Sequence, residues 1–208
     1  MNIKKVGVLG CGVMGGQIAA HLTNVGLEVI AFDLDEDVAK KGIESTVKLK
    51  PSPYYNLKTA DKIKVGSFDN LELIKDCDWV VEAIAEKIEW KTGLYSKVEP
   101  HLSESAILTS NTSGLLLKDL TTSMSDNLKK RFFITHFFNP PRYMKLVEFI
   151  TSKQNDSKII NDMKSFMTDI LGKGVVIAKD TPNFIANRIG TYGMMVCLSQ
   201  AYKNNLSV

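Results

Sequence analysis

Short apolar runs alternate along this chain with segments in which apolar residues recur at helical spacing. The runs cover residues 6–9, 29–32, 79–84, 106–108 and 132–135 and are rich in Val and Ile, the pattern of parallel strands covered by helices on both faces. After the first run, Ile18, Ala19, Leu22 and Val25 fall on one helical face, as a crossover helix packing on a sheet requires. The pattern predicts an α/β protein that opens with a right-handed βαβ unit.

Further along, residues 144–150 predict another strand and 175–178 a last one, with Ile159, Ile160, Met163, Phe166, Met167 and Ile170 forming an amphipathic helix between them. Residues 50–55, with Pro51 and Pro53, break the pattern and predict a loop or an arm outside the sheet. From Thr181-Pro182, a capping hydroxyl followed by proline at the first helical position, a long helix is predicted to about Tyr202. Its apolar positions Ile185, Ile189, Met194, Val196 and Leu198 need a cover.

Composition narrows the class. The 208 residues are 44% hydrophobic and 24% charged, enough to bury a core. The net charge of +3 is spread along the chain, which argues against a dedicated nucleic-acid or membrane surface and mildly favours small anionic ligands. No apolar run approaches the roughly 20 residues of a membrane span. Cys11, Cys77 and Cys197 are far apart and lack zinc spacing, so free and mostly buried thiols in a reducing cytoplasm are expected, with no metal site. The glycines within residues 6–16 are too regular for a signal peptide, and the final Leu206-Ser207-Val208 is no peroxisomal address.

Gly10-Cys11-Gly12-Val13-Met14-Gly15 is G-x-G-x-x-G set directly between a predicted strand and a predicted helix. Only glycine tolerates the tight turn at Gly10, close pyrophosphate approach at Gly12 and helix-strand contact at Gly15. The helix N-terminus then offers amides and a positive dipole to the phosphates. Asp33 lies 21 residues after Gly12, at the end of the second strand, where a carboxylate binds adenosine ribose hydroxyls and repels the extra phosphate of NADP. The expectation is NAD, on a Rossmann-type, doubly wound, mostly parallel sheet. Residues 1–180 would form this NAD-binding domain, and 181–208 the first helix of a truncated C-terminal helical domain or a helix that pairs with another chain.

Oxidising a secondary alcohol with NAD needs a base for the hydroxyl proton, a role to which histidine is suited near neutrality. His21 falls on the first crossover helix and His101 in a polar turn, which suggests structural or solvated roles. His136 ends a strand, where open α/β sheets place ligands. Asn139-Pro140-Pro141-Arg142 then turns the chain, and the return strand carries Glu148. If these strands pair as a hairpin, His136 and Glu148 lie side by side, and the carboxylate fixes the imidazole tautomer.

Four separated segments then appear in one order: Ser110-Asn111-Thr112-Ser113, Thr135-His136-Phe137-Phe138-Asn139-Pro140, Lys145-Leu146-Val147-Glu148, and residues 180–188 reading Asp-Thr-Pro-Asn-Phe-Ile-Ala-Asn-Arg. In this the chain resembles the 3-hydroxyacyl-CoA dehydrogenase family over nearly its whole length. The resemblance implies NAD-dependent oxidation of (S)-3-hydroxyacyl-CoA to 3-oxoacyl-CoA in fatty-acid β-oxidation. It implies His136 and Glu148 as the catalytic pair, Ser113 on the substrate hydroxyl, and Asn187 positioning the substrate. Glu86, Lys91 and Asn111 would join Gly10, Gly12, Val13, Met14, Gly15 and Asp33 around the cofactor. Taken without the family, Ser113 reads equally as a helix cap, and Glu86 with Lys91 as a solvated helical face.

Residues 42–80 form a shorter segment than in the family's short single-function enzymes, so their CoA contacts do not transfer. Lys40, Lys41, Lys48 and Lys50 read more readily as a solvated face than as a CoA site. Arg142-Tyr143 and residues 172–176 resemble the long multifunctional branch, in which an enoyl-CoA hydratase part follows. An acyl-CoA substrate and homo-oligomerisation through the helical domain are implied. The alternatives are a β-hydroxyacid dehydrogenase, which would use a lysine base, and a noncatalytic NAD-binding or structural relative.

Overall fold

A computed structural model describes residues 2–206. The elements in chain order are β1 (Lys5–Leu9), α1 (Val13–Asn24), β2 (Glu28–Asp33), α2 (Glu36–Val47), β3 (Lys64–Ser67), β4 (Trp79–Glu82), α3 (Ile88–Val98) and β5 (Ile107–Ser110). Then follow α4 (Leu117–Leu120), α5 (Asp126–Lys129), β6 (Phe132–Phe137), β7 (Leu146–Ile150), α6 (Ser157–Asp169), β8 (Gly174–Ala178) and α7 (Ala186–Lys203).

The strands form one eight-stranded sheet in the order β3-β2-β1-β4-β5-β6-β7-β8. Strands β1 to β6 are mutually parallel, β7 runs antiparallel to β6, and β8 is parallel to β7. The chain winds outward from β1 through β2 and β3, then returns to lay β4 on the other side of β1. The crevice at that reversal, outside the carboxyl ends of β1 and β4, is where such sheets bind ligands.

Alternation along the strands feeds two cores, one on each face. Val6, Val8, Trp79, Val81 and Phe133 pack with Ile18, Leu22, Met163 and Met167 of α1 and α6. Leu9, Val80, Leu108, Phe132 and Ile134 pack with Leu94, Tyr95 and Val98 of α3. The predicted α/β class, doubly wound order and mostly parallel sheet are therefore present.

Several local expectations are corrected. Strand β3 was not foreseen: Val65 is its one large apolar residue, and Gly66 leaves room for the Phe32 ring, which an added Cβ would meet at 2.8 Å. Strand β4 stops at Glu82, short of Ile84. Of the two readings for residues 50–55, the loop is the one that forms, and it is no free arm because Asn24 pins it: its Nδ2 donates to Pro53 O (2.7 Å) and its Oδ1 accepts from Tyr55 N (2.9 Å). Tyr54 is buried, bonded to Thr46 at 2.7 Å.

The last helix begins at Ala186 rather than at Pro182 because Asn183 and Phe184 take left-handed φ angles of 63° and 49°, which a right-handed helix cannot contain. Ile170, placed on the buried face of α6 by its spacing, lies past the helix end and is exposed. Cys11 and Cys77 are buried free thiols, but Cys197 sits exposed on α7. Of the proposed second segment, Ser207 and Val208 lie outside the described residues. Among the described residues no helix is long and apolar enough to cross a membrane.

Candidate functional site

The nucleotide loop is shaped by what would collide if its glycines carried side chains. Gly10 has φ +97°, and a Cβ there would lie 2.9 Å from Ala83 O; a Cβ on Gly15 would lie 1.8 Å from Gly10 O. These two glycines bring α1 down onto the strand ends. Around Gly12 an added Cβ would meet nothing within 4 Å, so the loop is open on the side a pyrophosphate would approach. Val13 is exposed in the first turn of α1, whereas Met14 packs against the core.

Asp33 closes the loop from β2. Its Oδ2 accepts from Cys11 N (2.7 Å) and its Oδ1 from Leu34 N (2.8 Å), which holds the carboxylate at the cleft rim. Burial first, and Asp33 second, push the Cys11 thiol up to about 12, so it remains protonated. A cleft of about 480 Å³ lies beside this loop, lined by Gly10, Gly12, Asp33, Leu34, Phe68, Ile84 and Trp90 among others. Mostly apolar walls, with the Asp33 carboxylate beside the glycine loop and Glu89 and Lys97 also on the lining, suit an adenosine moiety.

Next to the crevice stands a buried polar cluster that sequence reasoning missed. Glu82, at the end of β4, accepts from Lys91 Nζ (2.6 Å), Tyr95 OH (2.5 Å), Ser110 Oγ (2.6 Å) and Ile84 N (2.7 Å). Lys91 is 1% exposed, so it is no solvated helical face. Its Nζ also pairs with Glu86 Oε2 at 3.4 Å. Burial, with Glu82 as the next cause, pushes the Tyr95 hydroxyl well above its usual range. The available signal was a lone carboxylate ending an apolar strand, with Lys91 and Tyr95 four residues apart on one helical face.

Glu86 reaches from the loop after β4 to the Ser113 loop. Its Oε1 accepts from Thr112 Oγ1 (2.5 Å), Ser113 N (2.8 Å) and Gly114 N (3.2 Å). Asn111 is buried, and its Oδ1 accepts from Phe137 N at 2.8 Å, tying the end of β5 to β6. Ser113 is exposed and caps nothing. The residue preceding α4 is Leu116, and the carboxylate of Asp180 takes the Leu117 and Lys118 amides at 2.7 and 3.1 Å.

The hairpin read from the sequence forms in the register that pairs His136 with Glu148. Both are buried, with His136 Nδ1 2.8 Å from Glu148 Oε2. Engagement of Nδ1 leaves Nε2 as the ring position able to take a proton. Glu148 Oε1 accepts from Ile185 N (3.0 Å) and Ala186 N (2.8 Å), so the carboxylate sits on the first amides of α7, a favourable place for negative charge. The Phe138 and Phe184 rings lie 4.4 and 5.8 Å from the imidazole. Asn187, one residue into α7, donates from Nδ2 to Ser113 O at 3.1 Å.

The other two histidines stand apart. His21 is buried in α1, and burial first, then the charge of Lys173, push it down to about 4. Lys173, itself pushed down to about 8 by burial, donates to the carbonyls of Pro141 and Met144 in the β6-β7 connection. His101 ends a short 3-10 turn. Lys40, Lys41, Lys48 and Lys50 are exposed.

Known proteins place this geometry in context. Residues 5–181 match the family model described as the NAD binding domain of 3-hydroxyacyl-CoA dehydrogenase. A probable 3-hydroxyacyl-CoA dehydrogenase of Deinococcus radiodurans is 41% identical over 100% of this chain and 62% of its own length. A putative fatty acid oxidation complex trifunctional enzyme of Rickettsia felis is 45% identical over 99% of this chain and 30% of its own length. The crystal structure of the 3-hydroxyacyl-CoA dehydrogenase of Archaeoglobus fulgidus superposes with a TM-score of 0.80 at 29% identity, over 99% of this chain and 66% of that one. The chain thus spans less than two thirds of the curated relatives it matches.

Proposed function

The chain belongs to the 3-hydroxyacyl-CoA dehydrogenase family, and we propose that it binds NAD and carries the catalytic pair for oxidation of (S)-3-hydroxyacyl-CoA to 3-oxoacyl-CoA. The observation that carries this reading is the buried His136-Glu148 pair at 2.8 Å, at the same end of the sheet as the nucleotide loop. The open space at Gly12 and the rim carboxylate of Asp33 fit NAD. Gly10, Gly12, Val13, Met14, Gly15 and Asp33 would hold its adenosine and pyrophosphate half, and Glu86, Lys91 and Asn111 the region of the nicotinamide and its ribose.

When bound, NAD supplies the hydride acceptor. His136 takes the substrate hydroxyl proton at Nε2. Glu148, already hydrogen-bonded at Nδ1, stabilises the imidazolium that results and keeps the ring in place. Ser113 and Asn187 orient the substrate oxygen, so the proton to be moved faces the imidazole. Phe138 and Phe184 wall off the ring from water.

The multifunctional branch is supported by the Rickettsia relative. We further propose that residues 1–180 are the NAD-binding domain and that α7 opens a helical domain which covers the acyl-CoA and joins copies of the protein. The exposed apolar residues of α7, Ile189, Met194 and Leu198 among them, support that reading.

The test is reduction of acetoacetyl-CoA by NADH, followed at 340 nm, with the complete protein. Turnover that collapses in His136→Ala is expected. Turnover unchanged in that variant overturns the assignment, and NADH binding without turnover favours a noncatalytic relative.

A further inference from the structure

The segment joining β8 to α7, with the first turn of α7, reaches both the Ser113 loop and Glu148. Asp180 accepts the Leu117 and Lys118 amides at 2.7 and 3.1 Å. The side chain of Asn183 lies so near Gly114 that an added Cβ there would meet its Oδ1 at 2.6 Å. Ile185 N and Ala186 N hold Glu148, and Asn187 Nδ2 holds Ser113 O.

The Ser113 loop is held from both ends by carboxylates. At its start, Glu86 Oε1 takes Thr112 Oγ1 and the amides of Ser113 and Gly114. At its end comes α4, only four residues long and without a side-chain cap of its own. A helix that short does not persist on local bonds, and its first amides need an acceptor. Asp180 supplies two oxygens to two donors, from more than 60 residues away in sequence. A carboxylate can satisfy both amides at once, whereas a carboxamide offers one acceptor oxygen and turns its NH₂ toward the other donor.

We propose that Asp180 is a positioning residue. By fixing the start of α4 it sets Ser113, and through Ser113 the substrate hydroxyl, relative to His136. The proposal rests on the dehydrogenase reading, since it is the substrate oxygen that Ser113 is held in place to meet. Asp180 itself touches neither substrate nor cofactor, and it acts from the same short segment that anchors Glu148. Serine loop and catalytic pair are therefore aligned by one piece of chain.

The experiment is a double-mutant cycle on the complete protein, with acetoacetyl-CoA and saturating NADH. Asp180→Ala is expected to lower kcat/KM about tenfold, in proportion to a lost cap and a misplaced contact. Asp180→Asn, which keeps one acceptor, is expected to fall between it and the parent. In a Ser113→Ala background Asp180→Ala is expected to cost less than about twofold more, because residues that act through one another are not additive. NADH affinity is expected to stay within about twofold, as the nucleotide loop shares no partner with Asp180.

Equal fold losses in both backgrounds, or a loss confined to NADH affinity, overturn the proposal. Amide hydrogen exchange gives an arm that needs no turnover. Protection at residues 113–118 is expected to fall in Asp180→Ala while that at residues 10–15 is kept. Unchanged protection at 113–118 overturns the hold of Asp180 on the loop. No turnover in the parent protein, with protection lost in the variant, overturns the dehydrogenase reading and the positioning role with it, leaving Asp180 as a structural cap.

Discussion

The two ends of the site are built in different ways. At the nucleotide end, the contacts that shape the glycine turn are mostly local to one βαβ unit and its neighbouring strand: Gly15 against Gly10, Gly10 against Ala83, Cys11 N on Asp33. At the proposed catalytic end, four stretches separated in sequence converge. His136 meets Glu148 across a hairpin, Glu148 meets the amides before α7, and Asn187 meets Ser113 across 74 residues. The first site forms wherever its sheet forms. The second depends on where α7 sits, and α7 has no buried residue, with Ile189 67% and Tyr192 73% exposed.

That difference makes NAD binding and catalysis separable, and the largest expected effect tests the separation directly. His136→Ala should lower kcat about 10²- to 10⁴-fold, the usual worth of a positioned proton acceptor, while NADH affinity measured by fluorescence stays near that of the parent. Loss of both together would break the division into two ends. Lys91→Met should sharpen it from the other side. Without its cation, the fully buried Glu82 is left with only neutral donors, a loss of about 3–5 kcal/mol on thermal or denaturant unfolding. Since Glu82 stands between the nucleotide crevice and Ser110, this variant should weaken both ends.

A smaller effect concerns the join beneath the hairpin. His21 is held neutral in the folded state, pushed to about 4 by burial, but in the unfolded chain it protonates near 6.5. The unfolded state therefore gains the extra proton, and stability is lost as pH falls from about 6.5 to 4, by about 3 kcal/mol in all. His21→Leu should flatten this part of the acid unfolding profile relative to the parent. An unaltered profile would show that the imidazole charges freely in the fold. The smallest effect is at the rim: Asp33→Ala should weaken NADH about tenfold, as expected for a lost charge-assisted contact, with about 1 kcal/mol of stability lost along with the bond to the Cys11 amide.

The same contrast decides what could be read from the sequence. The glycine loop and Asp33 were legible because each glycine has a local reason, namely a positive φ, a strand contact or an open approach. The hairpin register was legible because His136 and Glu148 flank one turn. Contacts that span the chain were not. Taken without the family, Lys91 reads as a solvated helical face, yet it is buried on Glu82, a residue hidden by its position in an apolar run. Ser113 was read as a possible cap, and the cap is Asp180. Strand β3 has too little apolar pattern to register, and the helical period before α7 concealed two left-handed residues, Asn183 and Phe184, whose turn aims the first amides of α7 at Glu148.

If NAD binding is separable from catalysis, the glycine loop and Asp33 bind NADH whatever stands at position 136. The direct measurement is titration of the 208-residue chain with NADH and NADPH, in the parent, Asp33→Ala and His136→Ala forms. Saturable one-site binding of NADH in preference to NADPH is expected, weakened by Asp33→Ala and untouched by His136→Ala. Absence of NADH binding, or binding that falls with His136 and not with Asp33, would contradict it.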